Sequence, residues 1–108
     1  MATIRPRVKA PRKASAGEVV EIKTLINHSM ESGQRKDKDG NPIPRQIIHR
    51  FEAQFNGQEF FAVDLQPAIS ANPYLSFFAK LEESGEFTFR WHDDDGSVYE
   101  ETKSVEVT

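Results

Sequence analysis

A chain of 108 residues with 37% hydrophobic and 10% aromatic content suffices for one compact domain, expected over residues 1–108, and is too short for two cores. Without cysteine it has no disulfide framework, thiolate metal site, thiol nucleophile or thiol carrier, and no stretch approaches the ~18 apolar residues of a membrane-spanning helix. The net charge of −3 hides a division, with 11 Lys/Arg against 5 Asp/Glu in residues 1–50 and 3 against 12 in residues 51–108. Such a split suits a basic arm meeting an acidic partner or nucleic acid, and it equally suits plain solvated charge.

No apolar h-region follows the basic start, so no secretory signal is expected. A first strand is expected near Ile4–Lys9, where Arg5, Arg7, Lys9, Arg12 and Lys13 decorate an edge and discourage unwanted strand pairing. Strict alternation then begins. Val20, Ile22, Thr24 and Ile26 share one strand face with charge on the other, and Ile47, His49, Phe51, Ala53 and Phe55 repeat the pattern. Asn56-Gly57 predicts a two-residue type I′ hairpin, because both central positions of that turn need positive φ. Phe61, Val63 and Leu65 form the return strand; Leu75, Phe77, Ala79 and Leu81 follow, then Phe87, Phe89 and Trp91. A turn at Asp94-Asp95-Gly96 leads into a last strand from Val98 to Val107. About seven short alternating strands predict an all-β, immunoglobulin-like β-sandwich lacking the Cys…Trp…Cys spacing of antibody domains.

Two segments break the alternation. Residues 27–45 form a long connection, and residues 66–74 form a second irregular piece; each holds two prolines, which predicts shaped loops. Phe60 and Phe78 carry the outward phase of their strands, the mark of a protein interface unless a bulge resets the phase. Trp91, ending the Phe87-Phe89-Trp91 face, is expected to anchor the core.

The residue types argue against chemistry on this chain. Asp93-Asp94-Asp95-Gly96 and Asp37-x-Asp39-x-Asn41 both miss the calcium-loop pattern, since position six would be Val98 or Pro42. Both fit polar turns instead. His28, His49 and His92 are scattered over loop, strand and turn without zinc-ligand spacing, and His49 is expected on the apolar face of its strand. No serine sits in a nucleophile elbow, and no glycine motif cradles phosphate. The basic leader lacks interleaved aromatics and belongs to an acidic domain, which speaks against nucleic acid. No catalytic, cofactor-binding or metal-binding residue is expected. The long loop is the expected partner surface: Met30 offers an adaptable apolar contact, Arg35 and Arg45 can fork onto carboxylates or oxyanions, and Ile43 and Pro44 stand between them, with Asn72, Pro73 and Tyr74 alongside.

Three stretches also resemble the SoxZ family: His28-Ser29-Met30-Glu31-Ser32-Gly33-Gln34-Arg35-Lys36-Asp37 with Gly40-Asn41-Pro42-Ile43-Pro44-Arg45, then Ala71-Asn72-Pro73-Tyr74-Leu75, then Phe89-Arg90-Trp91 running into Asp93-Asp94-Asp95-Gly96-Ser97-Val98-Tyr99. The resemblance spans essentially the whole chain. One departure is Ser29, where the family often has proline. The resemblance implies an immunoglobulin-like, non-catalytic subunit without cofactor. It pairs as a heterodimer with a SoxY-like chain, whose C-terminal Gly/Cys-containing arm carries sulfur covalently during thiosulfate oxidation, and it meets other Sox enzymes transiently. It implies a periplasmic location reached with a signal-bearing partner, and no contact with nucleic acid or membrane. Self-association in the partner's absence is compatible with it. The alternatives at this stage are a free-standing immunoglobulin-like ligand- or protein-binding module, and a metal-dependent enzyme using the histidines and aspartates.

Overall fold

Period-two alternation leaves each strand one apolar face, and two such faces must be set against each other to leave water. The computed structural model, which describes residues 5–28, 30–65 and 73–108, achieves this with eight strands and no helix among those residues. They are β1 (Pro6–Lys9), β2 (Lys13–Ala14), β3 (Glu18–Ile26), β4 (Ile48–Phe55), β5 (Gln58–Asp64), β6 (Tyr74–Leu81), β7 (Gly85–Asp93) and β8 (Val98–Val107). A three-stranded sheet in the order β1-β3-β6 faces a five-stranded sheet in the order β2-β8-β7-β4-β5. All pairings are antiparallel except the two-residue β2, which runs parallel to the end of β8 and raises the strand count above seven.

The expected inward faces are the core. Val20, Ile22, Ile26, Phe77 and Leu81 come from one sheet, and Phe51, Ala53, Phe87, Phe89, Trp91 and Val105 from the other. Thr24 sits among them with its hydroxyl donating to the Leu75 carbonyl at 3.1 Å, so the buried polar group is satisfied. Phe51 and Trp91, 5.0 Å apart across neighbouring strands, and the stacked Phe61–Phe77 pair, 4.4 Å apart between sheets, bind the two layers. Asn56 and Gly57 both hold positive φ, 51° and 82°, as the two-residue hairpin requires.

Two bulges decide which side chains leave the pattern. Between β4 and β7 the register slips at Ile48/Arg50, giving His49 no opposite residue. His49 therefore does not lie on the apolar face as its phase predicts; its side chain is 44% exposed and turns toward Asp94. Between β4 and β5 the slip at Ala53/Gln54 frees Phe60, which folds partway over Phe77 and Phe87 at ring distances of 6.1 and 5.9 Å. Phe78 keeps its outward phase and is 66% exposed.

Candidate functional site

The long loop, the start of β4 and the β7–β8 turn meet at one end of the sandwich. Their meeting point was hidden in the strand phases. His28 continues the inward series Val20-Ile22-Thr24-Ile26 past the end of β3, and Asp93 continues Phe87-Phe89-Trp91 to the end of β7. Both are buried, and His28 Nε2 lies 2.8 Å from Asp93 Oδ2. The Met30 backbone N–H donates to His28 Nδ1 at 2.9 Å, so the ring proton sits on Nε2 and points at the carboxylate. Tyr99 donates its hydroxyl to the same Asp93 oxygen at 2.9 Å. Burial first, and then this bond to a carboxylate, push the Tyr99 phenol up to about 12. The arrangement resembles a catalytic base and its orienting acid, but both members are covered, and it serves as a pin joining the loop to the turn.

Met30 is the loop residue for which burial corrects the expectation. It is 5% exposed, lies in the core cluster, and accepts the Ile48 N–H on its sulfur at 3.3 Å. Its φ of 52° is left-handed, a conformation that costs an L-residue about 1–2 kcal/mol and that the His28 and Ile48 contacts hold in place. Its side chain thus offers no exposed apolar contact. Beyond it the loop folds into a ribbon of its own, bridged at Glu31–Gln46 and Lys36–Pro42. The tip is an Asx turn in which Asp37 Oδ1 accepts the N–H groups of Asp39 and Asn41. Gly33, at φ +88°, lets the two limbs approach so closely that a Cβ there would stand 3.0 Å from that of Arg45.

Both arginines reach the surface already engaged. The Arg35 guanidinium forks onto Glu31 (Nη2–Oε1 2.6 Å, Nε–Oε2 2.9 Å), holding that carboxyl below its usual range. Arg45 Nε donates to Asp94 Oδ2 at 2.8 Å, while the Ile47 N–H and His49 converge on the same carboxylate, which is likewise depressed, chiefly by Arg45. Ile43 is half-buried and Pro44 exposed on the ribbon. Pro73 is buried, with its carbonyl accepting the Ile26 N–H, and Tyr74 is 56% exposed at the start of β6. Asn72 lies outside the described residues. The structure thus gathers Arg35, Ile43, Pro44 and Arg45 on one ribbon, while Tyr74 belongs to the outer face of the three-stranded sheet.

That face differs from its opposite number. On the five-stranded sheet Arg50 bonds Glu52 and Asp64 at 2.9 Å each, Arg90 bonds Glu100 at 2.8 Å, and His92 stands 3.1 Å from Glu52. On the three-stranded sheet the outward positions include Val19, Leu25, Tyr74 and Phe78, exposed by 59%, 36%, 56% and 66%. Among the described residues no group of three or more His, Cys, Asp or Glu side chains converges as metal ligands would.

The fold defines the chain as an immunoglobulin-like, two-sheet β protein. Solved structures similar to it include superoxide reductase (neelaredoxin) from Ignicoccus hospitalis, with TM-score 0.76 and 20% identity over 96% of this chain and 80% of that one. The sulfur carrier protein SoxY from Chlorobium limicola f. thiosulfatophilum gives 0.67 and 14% over 95% and 78%. A CARDB domain from Pyrococcus furiosus gives 0.59 and 12% over 97% and 94%. At these identities the likeness is one of fold. No curated protein sequence matches. Residues 8–104 match the family described as "Sulphur oxidation protein SoxZ", and the chain belongs to that family.

Proposed function

We propose that the protein is the non-catalytic half of a periplasmic sulfur-carrier complex in thiosulfate oxidation, paired with a SoxY-like chain whose C-terminal cysteine arm bears the covalent intermediate. The observation that carries this reading is family membership over residues 8–104 in a chain with no cysteine. A carrier needs a thiolate to hold sulfur; this chain has none, so the bound sulfur must reside on the partner. A second thiol beside the carrier would also drain the intermediate by exchange. The His28–Asp93 pair supports a non-catalytic role, since neither side chain is open to a substrate.

In this reading the ribbon bearing Arg35, Ile43, Pro44 and Arg45 is the surface that meets the arm or the enzymes visiting it. The partner carries the export signal for both. Co-expression with the SoxY-like chain followed by purification and intact-mass measurement after incubation with thiosulfate and oxidant tests the proposal. A stable heterodimer with sulfur adducts on the partner alone is expected. An adduct on this chain, or failure of the two chains to associate, would overturn it. Methionine oxidation adds oxygen rather than sulfur and is separable by mass.

A further inference from the structure

We propose that the outer face of the three-stranded sheet seats the stable partner subunit, and that the partner presents apolar side chains interspersed with carboxylates. This rests on reading the chain as half of a hetero-complex, and it assigns the interface to a face other than the loop ribbon. The strand register lays out the surface. Arg7, Leu25 and Tyr74 lie side by side across β1, β3 and β6; Lys9, Lys23 and Ser76 form the next row; Glu21 faces Phe78, and Val19 faces Lys80. Val19, Leu25, Tyr74 and Phe78 are four of the six exposed large hydrophobic residues described. Large apolar side chains left exposed on one face, with charge between them, are the usual mark of a protein contact.

The charges on the face identify the chemistry of the occupant. There are four cations, Arg7, Lys9, Lys23 and Lys80, against one carboxylate, Glu21. Glu21 lies 3.7 Å from Lys23, and Glu82, from the following loop, lies 3.4 Å from Lys80. Arg7 and Lys9 form no ion pair among the described residues, whereas Arg35, Arg45, Arg50 and Arg90 all do. Lys9 and Lys23 stand directly opposite each other, a cross-strand pairing that weakens a sheet unless something anionic covers it. A second copy docked through the same face does not supply that cover, because an isologous dimer would set cation against cation. A face of another protein that carries both apolar and acidic side chains satisfies the exposed apolar residues together with Arg7 and Lys9.

The test uses the co-expressed SoxY-like chain as probe. Phe78 is exposed, so Phe78→Asp should leave the melting temperature nearly unchanged and weaken association by about 30-fold or more, the scale of an interface hot spot. Lys9→Glu/Lys23→Glu should weaken it by about tenfold and flatten its dependence on salt. Arg35→Ala/Arg45→Ala should leave association unchanged. If both face variants bind as wild type does, this assignment falls while the carrier reading stands. If wild type itself fails to bind, the carrier reading falls and takes the assignment with it. A dimer of the lone chain in sedimentation that Phe78→Asp dissolves would overturn the choice of a heterologous partner.

Discussion

The two outer sheet faces are built from the same alternating sequence pattern and end in different states. On the five-stranded face both arginines have opposite neighbours, Arg50 with Glu52 and Asp64 and Arg90 with Glu100. Carboxylates outnumber cations there, and Glu86 and Glu106 form no ion pair among the described residues. On the three-stranded face large apolar side chains stand exposed between cations, two of them lysines set side by side. Exposed ion pairs contribute only ~0–1 kcal/mol each, so these pairs add little to stability. The three-stranded face, with large apolar side chains exposed between its cations, is the one with apolar area left to bury on association.

Both faces hang on one core, and the largest expected effect breaks that core. Trp91 is 1% exposed, and Trp91→Ala should cost roughly 3–5 kcal/mol, much of what a small domain has. A denaturant midpoint equal to wild type would remove Trp91 from the core. Next comes the pin at the loop end. His28→Ala leaves the buried Asp93 carboxylate with fewer partners and should cost about 3 kcal/mol, measured by chemical unfolding. Tyr99→Phe removes one donor to that carboxylate and should cost about 1 kcal/mol.

Acid and base act on different groups at the loop end. Asp94 has a lowered folded value, so its contribution is present above the ordinary carboxylate range and is lost as pH falls through that value. Arg45→Ala should raise the Asp94 titration midpoint in a carbon-detected NMR titration. The stability change should be under ~1 kcal/mol because Arg45 is about half exposed. Tyr99 shifts the other way. Its stabilisation is complete below the ordinary phenol value near 10 and disappears as pH rises through about 12, so alkaline unfolding should begin earlier in wild type than in Tyr99→Phe. The smallest effect belongs to the five-stranded face: Arg50→Gln should change stability by less than ~1 kcal/mol and leave partner association unaltered. A loss of association there comparable to that of Phe78→Asp would erase the distinction between the two faces.

The alternation of Val20 to Ile26, Phe51 to Phe55, Leu75 to Leu81 and Phe87 to Trp91, with the Asn56-Gly57 turn, was enough to specify strands, their inward faces and an all-β sandwich. Local spacing decides side-chain direction, so those features are written in neighbouring residues. The loop motifs likewise carried the family resemblance, which the match over residues 8–104 bears out. Burial of Met30, the turning out of His49 and the joining of His28 to Asp93 were decided elsewhere. Each depends on a bulge or on residues far apart in the chain, as with the 65 positions separating His28 from Asp93. The same holds for the cation-bearing face. Arg7, Lys23, Lys80, Tyr74 and Phe78 are unremarkable along the chain and become a surface only when β1, β3 and β6 are laid side by side, because sheet register, unlike strand phase, is fixed by tertiary pairing.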